Sequence, residues 1–121
     1  PGDRVAVCSA NSLAYAALIM GTIRAGGIVN PINFRYTARE IADLCESTEP
    51  RFAFATSDHA AQMIDAGLAP LEMTEIESLR EGQPAQVDHD PDPDAPVVII
   101  ATSGSTAKPK GVVFTSNPAR A

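Results

Sequence analysis

The chain has 121 residues, enough for one domain or part of one, with 45% apolar and 20% charged residues and a net charge of −6. The acidic balance argues against nonspecific nucleic-acid binding, which needs basic surface. No apolar run reaches the ~18 residues that a transmembrane helix requires.

Pro1, Gly2, Asp3 and Arg4 offer neither the basic start nor the apolar core of a signal peptide, and with no initiator methionine the start reads as cut or processed. Cys8 and Cys45 form neither a metal spacing nor a disulfide framework, so they read as buried free thiols of a cytoplasmic protein. Residues 4–8 (RVAVC) make a short strand, followed by the polar Ser9, Asn11 and Ser12. Asn11 or Ser12 caps a helix to about Arg24, with Leu13, Ala16, Ala17, Met20 and Ile23 at helical spacing. Leu18 and Ile19 widen that apolar face and predict a well-covered helix. Gly26 and Gly27 end it. Because this pair follows a helix rather than a strand, it is not a dinucleotide fingerprint.

Residues 28–31 are a brief extended piece and 33–36 a loop. Thr37, Ala38, Arg39 and Glu40 have the capping-box pattern, opening a helix with Ile41, Leu44 and Cys45 inward and Pro50 as its limit. Residues 51–55 (RFAFA) read as a strand and 60–66 as a short helix, while 71–79 mix Leu, Met and Ile with glutamates and suggest one short strand. Helices alternating with short apolar strands predict an α/β fold, a partial doubly wound parallel sheet covered on both faces.

From 81 to 96 the composition shifts to Asp88, Asp90, Asp92 and Asp94 among Pro84, Pro91, Pro93 and Pro96, a stiff solvated connector. The aspartates lack the glycine and distal glutamate of a calcium loop, and His59 and His89 have no third ligand nearby, so no metal site is expected. A buried strand at 97–101 (VVIIA) and a second strand reaching Thr115 flank a loop, and 116–121 read as the start of a helix.

That loop, residues 102–111 (TSGSTAKPKG), carries the chemistry. A buried strand opening into small residues exposes backbone N–H groups to an anion. Gly104 allows close approach or positive φ, and the hydroxyls of Thr102, Ser103, Ser105 and Thr106 add donors. Lys108 and Lys110 are the only lysines in the chain. The whole reads as a phosphate cradle, against the plainer alternative of a solvated hairpin. It is not a Walker loop, since Pro109 stands where that pattern needs glycine. Nor is it a nucleophile elbow, since Ser103 and Ala107 flank Ser105 where glycines are required.

Residues 102–111 resemble the phosphate-binding signature of the adenylate-forming (AMP-binding) superfamily of acyl- and aryl-CoA synthetases, departing only at Ala107, where that family usually has glycine. Residues 1–7 resemble its opening strand, 24–33 a core helix-end and strand, and 37–47 the helix after it. The resemblance, nearest to a fatty-acid–CoA ligase, implies an N-terminal fragment of an adenylate-binding domain: βα units over 1–80, the connector, then strand, phosphate loop and strand over 97–121. It implies an acid–thiol ligase that uses ATP and Mg2+ to make an acyl-adenylate and pyrophosphate, then transfers the acyl group to coenzyme A.

By the same resemblance Thr102, Ser103, Gly104, Ser105, Thr106, Ala107, Lys108, Lys110 and Gly111 bind the nucleotide, with Lys110 neutralising the pyrophosphate. If position 107 needs positive φ, alanine costs on the order of 1 kcal/mol there. Ser116 stands where many relatives carry histidine. The family's acyl pocket, its magnesium-binding glutamate and its catalytic lysine fall beyond Ala121, so no complete catalytic set is expected and the fragment alone should be inactive. Its sheet edge and apolar face, left without partners, should make it self-associate. The alternatives are part of a peptide-synthetase adenylation domain, a non-catalytic binding module, and a structural α/β domain whose loop is only a turn.

Overall fold

Strand β1 (Arg4–Cys8) divides its side chains between two layers of helices, as the two-residue period of a strand requires. Ala6 and Cys8 enter one apolar cluster, and Val5 and Val7 enter the other. The computed structural model describes residues 1–82, 92–102 and 110–117, the side chains of Glu77 and Arg80 excepted. Around β1 lie β2 (Ile28–Pro31), β3 (Phe52–Ala55), β4 (Leu71–Glu72), β5 (Pro96–Thr102) and β6 (Lys110–Thr115). Among the described residues they form one sheet in the order β4-β3-β1-β2-β5-β6. Val5 pairs with both Val29 and Phe52, and Val29 pairs with Val98. The first five strands are parallel, and β6 joins β5 antiparallel. The expected doubly wound α/β sheet is present, with the antiparallel hairpin as an addition to its parallel plan.

Helices α1 (Leu13–Arg24) and α4 (Glu75–Arg80) cover one face through Leu18 and Ile76, packed on Val5, Val7, Val29 and Phe54. Helices α2 (Ala38–Thr48) and α3 (Ser57–Asp65) cover the other, where Ile41, Leu44, Cys45 and Met63 pack on Ala6, Cys8, Ala53 and Ala55. Both cysteines are buried free thiols. Burial pushes the Cys45 thiol up to about 11 and raises that of Cys8, so neither is a nucleophile at neutral pH.

The helix ends follow their local chemistry. Ser12 Oγ accepts the Tyr15 N–H to cap α1. At its other end Gly26 takes φ 75°, its N–H bonds Ile23 O and the Gly27 N–H bonds Thr22 O, a Schellman closure. A Cβ on Gly27 would stand 2.9 Å from Thr22 Cγ2, so that turn has room only for glycine. The capping box of α2 is present: Thr37 Oγ1 accepts the Glu40 N–H while Glu40 Oε2 accepts the Thr37 N–H at 2.7 Å. That bonding holds the Glu40 carboxyl below its usual range. Glu49 ends α2 in the left-handed region, just before Pro50.

Three expectations need correction. Helix α1 turns Ala14, Leu18 and Thr22 to the sheet, leaving Leu13 (84%) and Met20 (67%) exposed, so it is less covered than its composition suggests. Helix α3 begins at Ser57, not Ala60, because its first turn is polar and carries no apolar period. The stretch 71–79 holds the short strand β4 and the start of α4 as well, anchored by the buried Met73 and Ile76. Most of the proline-rich connector, 83–91, lies outside the described residues, and so do 118–121, where a helix start is expected. Ser116 and Asn117 are not helical.

Candidate functional site

The β5–β6 hairpin fixes where the two ends of the Ser/Thr/Gly/Lys loop emerge. Strand β5 runs parallel to β2, so Thr102 ends it on the side of the sheet where β1 and β2 also end, at Cys8 and Pro31. In open α/β sheets this side, beyond the carboxyl ends of the strands, is where ligands bind. Thr102 pairs with Lys110 across the first rung, and Thr102 Oγ1 donates to Lys110 O at 3.3 Å. Both residues are exposed. One rung further in, Gly111 faces Ala101, and a Cβ there would meet Ile99 Cγ2 at 2.6 Å. The glycine lets the two strands close over Ile99, which sets the width of the loop's base.

Of the nine residues expected to bind nucleotide, the structure therefore places Thr102, Lys110 and Gly111 together at the hairpin mouth. Ser103, Gly104, Ser105, Thr106, Ala107 and Lys108 lie outside the described residues, as does the backbone at Ala107 on which the strain argument turns. Ser116, at the far end of β6, donates its Oγ to Pro93 O at 3.1 Å.

Beside the mouth, at the ends of β1, β2 and β5, is a cleft of about 470 Å3 whose lining includes Ser9, Asn11, Tyr15, Asn33, Arg35 and Ala101. It opens where the chain leaving β1 turns to the α1 face and the chain leaving β2 turns to the α2 face, a topological switch point. Asn33 shapes its rim: Oδ1 accepts the Arg35 N–H at 2.9 Å, and the carbonyl accepts the Tyr36 N–H at 3.0 Å. Phe34, also in the lining, stacks on His59 at 5.3 Å between ring centres. Burial raises the Tyr15 phenol, with a smaller contribution from Cys8, so it stays a neutral donor. The sequence reading passed over this cleft. Its residues have no motif, and only their shared position after successive parallel strands marks them.

Behind the site a buried polar clamp fixes α2 to the sheet. Asn30 Nδ2 donates to Thr48 Oγ1 at 2.9 Å with Asn30 fully buried, and Arg4 Nε donates to Thr48 O at 2.6 Å. Arg4 also donates from a terminal nitrogen to Glu49 O at 3.0 Å, so a cation meets the carbonyl end of the helix.

The layout is that of α/β proteins that take ligands at the carboxyl edge of a doubly wound sheet. The chain belongs to the AMP-binding enzyme family, whose pattern matches residues 1–119. A fatty acid–[acyl-carrier-protein] ligase, ScoC, of Streptomyces coeruleorubidus is 32% identical over 121 residues, covering 94% of this chain and 23% of the relative. A feruloyl-CoA synthase of an Amycolatopsis species is 31% identical over 121 residues, covering 95% of this chain and 23% of the relative. The structure of VinN with 3-methylaspartate superposes with a TM-score of 0.84 at 27% identity, over 96% of this chain and 34% of VinN. The chain thus spans about a quarter of the length of these two curated relatives.

Proposed function

We propose that this chain supplies the nucleotide-phosphate-binding portion of an AMP-forming acid–thiol ligase. The supporting observation is the hairpin mouth. A loop of the sequence TSGSTAKPKG is anchored through Thr102 and Lys110 at the carboxyl edge of a doubly wound sheet, in a chain that belongs to the AMP-binding family. ATP is the substrate whose β- and γ-phosphates the loop holds, through its backbone N–H groups, its hydroxyls and Lys110. The charge to be stabilised develops on pyrophosphate as a carboxylate attacks the α-phosphate and the acyl-adenylate forms. A cation at the start of β6, beside the carboxyl edge of the sheet, suits that task by stabilising the charge as it grows.

Among the described residues no group of three or more His, Cys, Asp or Glu stands together as a metal site. Mg2+ bound with ATP would supply further neutralisation of the phosphate charge. The acceptor in this reading is the thiol of coenzyme A, as the resemblance to a CoA ligase implies. The likeness to a ligase acting on acyl-carrier protein supports a carrier-bound thiol as the second reading.

The test is a graft. This sequence, placed in an acid–CoA ligase in exchange for the matching segment, is expected to sustain ATP–pyrophosphate exchange that depends on a carboxylic acid. Exchange without any acid, or ADP as the product, contradicts the reading. Thioester formation with coenzyme A against that with a carrier protein separates the two acceptors.

A further inference from the structure

The threonine of the buried clamp also reaches the hairpin. Thr48 is the last residue of α2 and only 7% exposed, and its polar atoms are fully engaged. Its carbonyl accepts from Arg4 Nε, while its Oγ1 donates to Leu44 O at 3.0 Å and accepts from Asn30 Nδ2. The hydroxyl has one proton and gives it to Leu44 O, so the Asn30 amide has to present its NH2. Asn30 is fully buried and its Oδ1 has no partner among the described residues, so that amide depends on the Thr48 hydroxyl. Both heavy atoms on a threonine Cβ turn together, and pinning Oγ1 therefore fixes where Cγ2 points.

That methyl lies where the hairpin closes. A Cβ on Gly111 would stand 3.8 Å from Thr48 Cγ2 as well as 2.6 Å from Ile99 Cγ2. The two neighbours differ in what they are tied to. Ile99 belongs to β5 and moves with the hairpin, whereas Thr48 is tied to β1 through Arg4 and to β2 through Asn30. Backbone pairing leaves room for such a tie, since β6 pairs with β5, and β5 meets β2 in register at Val29 and Val98. We propose that Thr48 is a positioning residue for the loop at 102–111: its hydroxyl aims its methyl, and the methyl seats Gly111, and with it the adjacent Lys110, against the parallel sheet. The consequence for Lys110 rests on the phosphate-holding role proposed above, while the seating of Gly111 does not.

Two variants of the 121-residue chain separate the methyl from the hydroxyl. Thr48→Ser keeps the hydrogen bonds and removes the methyl. It is expected to lower the denaturation midpoint slightly and to shift the amide resonances of Lys110 and Gly111. Hydrogen exchange across 99–102 and 110–113 is expected to quicken about threefold or more, with exchange at 5–7 in β1 unchanged. The dissociation constant for pyrophosphate is expected to rise about three- to tenfold. Thr48→Val has the same shape and keeps a methyl beside Gly111, but leaves both polar atoms of the buried Asn30 amide unpaired. It is expected to be the less stable variant and yet the tighter binder of pyrophosphate.

A side chain that only filled space would give one order in both measurements. Affinities that fall in the same order as the stabilities therefore overturn the proposal. So does a Thr48→Ser chain whose hairpin exchange and whose amides at 110 and 111 match the unaltered chain, a result that decides even if Thr48→Val does not fold. If Thr48→Ser loosens the hairpin while the unaltered chain binds no pyrophosphate, the phosphate reading of the loop fails and the seating of Gly111 by Thr48 stands.

Discussion

At the scale of single residues, Lys110 and Gly111 divide the work at the hairpin mouth. Lys110 begins β6 and is exposed beside the carboxyl edge of the sheet, while Lys108 lies outside the described residues. If geometry rather than net charge matters, Lys110→Ala in a grafted ligase is expected to slow the acid-dependent exchange by about 10–150-fold, the loss of one charge-assisted hydrogen bond of roughly 1.5–3 kcal/mol. Lys108→Ala is expected to cost much less. Equal losses from both lysines would mean that charge alone is supplied. Gly111→Ala tests the base of the loop. Its new methyl would meet Ile99 Cγ2 at 2.6 Å, and forcing it in is expected to cost about 1–3 kcal/mol, read as a lowered denaturation midpoint. No change in stability would show that β5 and β6 can part without cost.

At the scale of elements, the capping box of α2 is the local device most open to measurement. Thr37→Ala is expected to destabilise the chain by about 1 kcal/mol at neutral pH. Its partner Glu40 has a carboxyl held below the ordinary value of 4.5 by the Thr37 N–H and hydroxyl. A depressed folded pKa means that its contribution is present above 4.5 and is lost as pH falls through the lower, folded value. The gap between wild type and Thr37→Ala is therefore expected to narrow below about pH 4.5. A gap that stays constant down to pH 2 would rule out the bond from the Thr37 hydroxyl to the carboxylate, the one contact with Glu40 Oε2 that alanine removes.

The same helix shows why some elements are legible in sequence. Thr37 and Glu40 carry a start signal, and Ile41, Leu44 and Cys45 a helical period, so both its boundary and its inner face could be read. Helix α1 had its ends marked by Ser12 and Gly26, yet so many of its positions are apolar that the period could not say which line faces the sheet. Helix α4 gave no period at all, since it is six residues long and among its described side chains Ile76 alone is buried. The antiparallel sense of β6 and the clamp of Arg4 and Asn30 on Thr48 depend on contacts distant in sequence, which no local pattern records.

For the molecule as a whole, the proposal rests on one placement, a hairpin at the carboxyl edge of a doubly wound sheet whose loop we propose to hold phosphate. The loop was legible only as a motif, through its order of hydroxyls, glycine and lysines, whereas the switch-point cleft beside it became visible only once β1, β2 and β5 were set side by side. The most direct measurement is a pyrophosphate titration of the isotopically labelled 121-residue chain, followed by amide NMR. The account predicts saturable shifts concentrated over residues 102–111, with the Thr102 and Gly111 amides among them, and a marked loss of affinity in Lys110→Ala. Shifts centred elsewhere on the sheet, or an affinity that Lys110→Ala leaves unchanged, would contradict it.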